Sequence, residues 1–136
     1  MKSLQLMIGA IDDYSLLTNG KNWNLNTNSE SIFEDVFGVK YAEVENSEKM
    51  PIYELSDDIL TNFNRLSNVL ITNVDFVITQ ELYIGSQLLN DMEELKLNDT
   101  FKLLKSLSSY KHITAEKFIQ LYNMIIIIKQ KINNYL

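Results

Sequence analysis

The chain contains no cysteine and only one histidine, and these absences remove whole classes of chemistry. Without cysteine there can be no disulfide, no thiolate metal site and no cysteine nucleophile. The single histidine, His112, has no neighbour at the spacing expected of a metal ligand. No Ser/His/Asp order is visible, and the four glycines form no phosphate-binding motif. We therefore predict a protein that is not an enzyme and that uses no metal and no cofactor.

Long hydrophobic segments are also missing. The longest purely apolar run, Met124–Ile128, is far shorter than the roughly 20 residues of a membrane-spanning helix. The amino terminus reaches Asp12 and Asp13 without a small-residue cleavage site, so it does not resemble a signal peptide. A hydrophobic fraction of 46% over 136 residues indicates one globular domain, residues 1–136. Without a long apolar segment, we expect no membrane partner. We also expect a cytoplasmic location, because a chain without cysteine suits a reducing compartment.

Arginine and proline are scarce, whereas residues with A/T-rich codons are abundant. The chain has 15 Asn and 15 Ile against one Arg and one Pro. This bias is typical of A/T-rich bacteria and of phage or mobile elements, so we expect a source of that kind.

Positive charge is concentrated in the last third of the chain. Residues 1–60 hold 4 Lys/Arg against 11 Asp/Glu, whereas residues 96–136 hold 7 against 2. An acidic front and a basic tail can mark interaction surfaces. They can equally be solvated faces that neutralise one another in the fold. The sequence leaves both interpretations open.

Helix caps and apolar periodicity predict two long helices in the carboxy-terminal half. Ser56 can cap a helix whose first turn holds Asp57 and Asp58, where negative charge suits the helix dipole. Thr114 can cap the final helix. Apolar residues then recur every three or four positions, at Ile59, Phe63, Leu66 and Leu70 and at Phe118, Leu121, Ile125, Ile128, Ile132 and Tyr135. A third helix after the stop signal Asn98–Asp99 would complete a bundle of at least three helices.

Other segments fit more than one structure. Residues 74–84 alternate like a strand, but they also continue a helical pattern, and we favour helix from about Phe76 with Gly85–Ser86 as the only turn signal. Residues 4–17 fit a helix or a strand. We expect a mainly α fold with a smaller irregular or β-containing amino-terminal part; the alternative is an α+β fold.

Within the amino-terminal half, local signals predict short elements. Ser31 and Glu34 have the spacing of a capping box, ahead of a short helix that Gly38 would end. The stretch Val39–Glu45 fits a strand, and Met50–Pro51 begins a new extended segment.

Asparagine occupies every second position from Asn22 to Asn28, around the only tryptophan, Trp23. A calcium-binding loop would need acidic ligands, a glycine at its sixth position and a glutamate at its twelfth. Counted from Asn22, those positions are Thr27 and Phe33, so the pattern does not match. Alternation favours a short strand or a loop, with Trp23 as a candidate partner contact.

Small size, acidic polarisation and the lack of a catalytic constellation favour a protein-binding inhibitor. Toxin-neutralising immunity proteins and phage-type anti-defence proteins are suitable examples. Carboxylates on a small rigid domain can cover the cationic site of a toxin or nuclease and accelerate its capture. The candidate partner-binding residues are Asp12, Asp13, Trp23, Glu43, Glu45, Glu48, Asp57 and Asp58.

The basic tail supports an alternative function, a nucleic-acid-binding or regulatory module. Its lysines are interleaved with Phe101, Tyr110 and Tyr122, and such sites combine cations with aromatic rings. The tail has no arginine and the chain is net acidic, which disfavours a polyanionic partner. Ile127 lies on the polar side of the final helix, so we expect either the amino-terminal part or a second copy of the chain to cover it.

Overall fold

The computed structural model describes residues 2–15, 28–45, 47–48 and 50–136, and their fold is mainly α. The helices are packed together, and two short strands form a small sheet. In chain order the elements are α1 (Lys2–Ser15), α2 (Ser29–Phe37), α3 (Tyr41–Glu45), β1 (Ile52–Glu54), α4 (Asp57–Gln80), α5 (Leu82–Leu95), α6 (Leu97–Tyr110), β2 (His112–Thr114) and α7 (Ala115–Tyr135). Among the helices described, none is long and apolar enough to cross a membrane.

Helix α4 lies at the centre of the bundle, in contact with α1, α5 and α6. Its start is as predicted: Ser56 Oγ accepts a hydrogen bond from the Ile59 amide at 3.4 Å, and Asp57 and Asp58 occupy the first turn. Its apolar face is buried from Leu60 to Val77. The helix continues through residues 74–80, so the helical interpretation of this segment was correct.

The bend between α4 and α5 was not predicted at its true place. Glu81 interrupts the helix and separates α4 from α5. Gly85, the predicted turn residue, instead lies buried inside α5. A Cβ atom at Gly85 would lie 2.8 Å from the Val77 carbonyl oxygen. Glycine is therefore needed because the backbones of α4 and α5 approach each other closely at this point.

Helices α6 and α7 have well-defined ends. Lys96, with φ 53°, separates α5 from α6, so the break comes slightly before the predicted Asn98–Asp99 signal. Thr114 caps α7 as predicted, because its Oγ1 accepts a hydrogen bond from the Lys117 amide at 3.2 Å. Helix α7 packs against α1 and α2, and Ile127 on α7 is half-buried.

The amino-terminal half contains more helix than predicted. Helix α2 is capped by Asn28, whose Oδ1 accepts from the Glu30 amide at 2.7 Å, and not by Ser31. Gly38, with φ 68°, ends α2 as predicted. The predicted strand Val39–Glu45 is wrong, because residues 41–45 form α3. Glu34 Oε1 accepts from the Tyr41 amide at 3.3 Å, which satisfies a free amide in the first turn of this helix.

The extended segment predicted after Met50–Pro51 is present as β1. It pairs antiparallel with β2, which places Tyr53 opposite Ile113 and Glu54 opposite His112. This sheet joins the amino-terminal part of the chain to the start of α7.

A cluster of aromatic rings anchors the amino-terminal elements on α7. The Phe33 ring, which is fully buried, lies at its centre. Its centroid is 5.1–6.2 Å from those of four other rings, which belong to Phe37, Tyr41, Tyr53 and Phe118. Edge-to-face contacts at such distances add to the stability that burial provides. The cluster therefore fixes how α2, α3 and β1 sit on α7.

Candidate functional site

Carboxylates on three helices lie close enough to Tyr41 for their negative charges to act on its hydroxyl group. Burial raises the pKa of the Tyr41 hydroxyl, and the negative charges of Glu45, Glu30 and Glu116 raise it further. We call Glu30, Glu45 and Glu116 the acidic cluster. All three side chains are exposed, so the cluster presents negative charge to solvent.

Local structure explains the position of each of these glutamates. The Asn28 cap places Glu30 in the first turn of α2, and the Thr114 cap places Glu116 in the first turn of α7. Acidic residues are favoured there by the helix dipole. Glu45 is the last residue of α3. The side-chain Nε2 of Gln120 donates a hydrogen bond to Glu116 Oε1 at 3.1 Å. The aromatic rings beneath hold α2, α3 and α7 together.

The described members of the predicted partner-binding set lie on several different elements of the fold. Glu45 belongs to the acidic cluster, Glu43 is exposed on the same helix, and Glu48 is exposed just beyond it. Asp57 and Asp58 are exposed in the first turn of α4. The two residues from α1, Asp12 and Asp13, lie on a different element, and Trp23 lies outside the described residues.

Asp12 is engaged in an ion pair with the basic tail. Lys129 Nζ lies 2.6 Å from Asp12 Oδ1, and Lys131 Nζ lies 3.8 Å from Asp91 Oδ1. The Asp12–Lys129 pair supports the interpretation that the acidic front and the basic tail partly neutralise one another, and the second pair offsets charge on the tail from α5. Asp12 is therefore a weaker candidate for partner binding than Glu43 and Glu45.

Sequence reasoning missed Glu30 and Glu116. Glu116 was hidden because it belongs to a net basic segment, and Glu30 precedes the cap that was predicted for α2. The available signal was the same in both cases, an acidic residue two positions after a helix cap. That pattern marks the start of a helix, but it does not reveal that two helix starts lie together.

A second candidate surface, also missed, is the outer face of α5. Leu82 and Tyr83 are 82% and 79% exposed, and Leu89 lies on the same side as Leu82 two turns later. Residues 66–95 contain five Asp/Glu and no Lys or Arg. We call Leu82, Tyr83 and Leu89 the α5 strip. Exposed apolar and aromatic side chains within an acidic surface are suited to a cationic partner with an apolar centre.

His112, the single histidine, is the first residue of β2. Its side chain is exposed, and its Nδ1 donates a hydrogen bond to the Tyr110 carbonyl oxygen at 2.8 Å. Within the described ranges, no three His, Asp or Glu residues are grouped closely enough to hold a metal ion.

Tyr135 fastens the end of α7 to α5. Its hydroxyl donates a hydrogen bond to Asp91 Oδ2. Burial, this hydrogen bond and the charge of Asp91 raise the pKa of Tyr135 well above its usual value. The neutral hydroxyl is therefore the stable form in the folded protein.

Tyr135→Phe should reduce the loss of stability at alkaline pH. The folded-state pKa exceeds the unfolded value of about 10, so this stabilisation is complete below that pH and is lost as the pH rises through the folded pKa. We expect the free energy of unfolding of the variant to be about 1–2 kcal/mol lower at neutral pH and to decline less steeply with pH above pH ~10. Urea unfolding across this range measures both effects. Tyr83→Phe, at an exposed tyrosine, is the control and should change neither the free energy of unfolding at neutral pH nor its decline at alkaline pH. If the free energy of unfolding declined equally steeply with alkaline pH in wild type and Tyr135→Phe, the prediction would be contradicted.

Comparisons with protein families, curated proteins and solved structures found no match to this chain. A function can therefore be inferred only from the residues themselves.

Proposed function

We propose that this protein is a small, acidic, non-enzymatic inhibitor that binds another protein through the acidic cluster. The supporting observation is that the negative charges of Glu30, Glu45 and Glu116, all exposed, act together on Tyr41. Glu43 and Glu48 extend this exposed negative surface along the chain.

The chemistry of this surface favours a partner with a basic active site. A nuclease or another toxin that acts on a polyanion carries clustered lysines and arginines. Exposed carboxylates on a rigid support attract such a surface over a long range and accelerate association. A toxin-neutralising immunity protein or a phage-type anti-defence protein would act in this way. Binding would block the toxin without any chemical step by the inhibitor.

The aromatic rings beneath the cluster support this function. Phe33, Phe37 and Phe118 pack against one another under the three helices, with centroids 5.1–6.2 Å apart. Carboxylates held on packed helices lose little conformational freedom when a partner binds.

The alternative function is a nucleic-acid-binding or regulatory module that uses the basic helices. Two of the tail lysines, Lys129 and Lys131, lie near the carboxylates of Asp12 and Asp91. Their positive charge is partly offset there, which reduces the attraction for phosphates. This observation favours the inhibitor over the alternative.

Affinity capture from a lysate of the source organism tests the proposal. Wild-type bait should retain a strongly basic protein whose own activity is lost in the complex. Glu43→Lys/Glu45→Lys should weaken this complex by about 10- to 100-fold and leave the fold cooperative. Increasing salt should reduce mainly the association rate of the wild-type complex.

A matched pair of variants separates the two surfaces. Glu93→Lys/Glu94→Lys makes the same change of charge on α5, where both glutamates are exposed. If the acidic cluster is the site, this control should bind nearly as well as wild type. Loss of binding in the α5 variant alone would transfer the site to the α5 strip. Capture of nucleic acid instead of protein, with a steep salt dependence, would support the alternative, and loss of function in His112→Ala would support an enzyme.

A further inference from the structure

The bundle contains a cavity that is separate from the acidic cluster. It has a volume of about 310 Å³ and lies between α4, α5 and α6. Each helix contributes one buried apolar side chain to its wall: Val74, Met92 and Phe101. Ile71, which is half-buried, extends the same apolar surface.

The polar side chains that line the cavity come from α4 and α6. Lys102 and Lys105 are exposed on α6, three residues apart, so their side chains project from neighbouring turns of one face. Asn98 precedes them on α6, and Asp75 lines the cavity from α4. Lys102, Lys105 and Asp75 give the lining a formal charge of +1 beside an apolar wall, and Lys105 already takes part in an interaction of its own.

We propose that this cavity binds an amphipathic monoanion, a carboxylate on a single apolar chain of roughly eight to ten carbons. Ligand sites are mostly apolar, with a few polar groups that orient the ligand, and they begin at about 300 Å³. This volume suits one short chain and not a two-chain lipid. Val74, Met92 and Phe101 would contact the chain, while Lys102 would bind the carboxylate.

Charge also selects the head group. Asp75 repels a second negative charge, so a monoanionic carboxylate is favoured over a dianionic phosphate ester. The Asn98 amide provides a further donor for a carboxylate oxygen. Two other cavities carry lysines, but this one combines a lysine pair on a single helix with buried apolar side chains from three helices.

Titration with decanoate, followed by calorimetry and methyl NMR, tests the inference at neutral pH. We expect saturable binding below ~1 mM, with shifts in the methyl signals of Ile71, Val74 and Met92. Shortening the chain from decanoate to octanoate and hexanoate should weaken binding about threefold to fourfold for each methylene removed. Decanol, which has the same chain without charge, should bind at least about tenfold more weakly.

Variants of exposed residues identify the head-group contacts without disturbing the core. Lys102→Ala should weaken decanoate binding about tenfold and leave decanol binding unchanged. Asp75→Asn should tighten decanoate binding severalfold because it removes the opposing charge. Lys117→Ala, at a lysine that lines a different cavity, is the matched control and should have no effect.

Three results would overturn the inference. They are the absence of saturable binding, equal binding of decanoate by wild type and Lys102→Ala, and shifts centred on Leu121 and Met124 of the other cavity. None of these results bears on the acidic cluster, whose function is tested by capture of a protein partner.

Discussion

Phe33→Ala should lower the free energy of unfolding by about 3–5 kcal/mol. Phe33 is fully buried and contacts four other aromatic rings, so the substitution removes a large apolar surface and leaves a cavity at the centre of the cluster. Domains of this size are stabilised by about 5–15 kcal/mol in total. The substitution should therefore remove a substantial fraction of the total stability, which urea unfolding at neutral pH would measure.

Phe76→Ala is the control for this prediction. Phe76 is 50% exposed on α4, so truncation should cost less than about 1 kcal/mol. Phe33→Leu should fall between the two, because it keeps apolar volume but loses the ring contacts. A Phe33→Ala protein as stable as Phe76→Ala would contradict the aromatic cluster as the support of α2 and α3.

Gly85→Ala should destabilise the protein by about 1–3 kcal/mol. The new Cβ would lie 2.8 Å from the Val77 carbonyl oxygen and 3.0 Å from the Ile78 Cα. Both are backbone atoms of α4, so they cannot move aside as a flexible side chain can. The overlap should outweigh the gain of about 1 kcal/mol in helix propensity that alanine normally provides.

Gly9→Ala makes the same chemical change where space is available. Gly9 lies within α1, and a Cβ atom there would meet nothing within 4 Å among the described residues. We expect this variant to be more stable than wild type by about 0.5–1 kcal/mol. Thermal unfolding of both variants measures the contrast. If Gly85→Ala were also stabilising, α4 and α5 would not approach as closely as the structure indicates.

Only part of the acidic cluster could be predicted from the sequence. Glu45 was predicted as a partner-binding residue from charge alone. Glu116 was not, because Lys117 follows it and its segment is net basic. Only the packing of α2 on α7 and of α3 on α2 brings Glu116, Glu45 and Glu30 close enough to act on the same tyrosine, Tyr41. Composition describes charge along the chain, whereas a binding surface depends on charge in space.

The sequence by itself determined the elements whose signals lie within one or two helical turns. Ser56 and Thr114 cap helices whose apolar residues recur at the helical period, so α4 and α7 could be predicted with their starting residues. Gly38 ends α2 because a left-handed conformation suits glycine. These interactions join residues that are close in the chain, and local patterns therefore record them.

Tertiary structure decided the remaining features. Residues 41–45 form a helix and not the predicted strand. The backbone amide of Tyr41 donates a hydrogen bond to the side chain of Glu34, seven residues earlier. The bend at Glu81 depends on the close approach of α5 to α4, which only the packed bundle imposes. The ion pair of Asp12 with Lys129 joins residues 117 positions apart. Contacts over such separations leave no periodic signal, because their partners meet only when the whole chain packs.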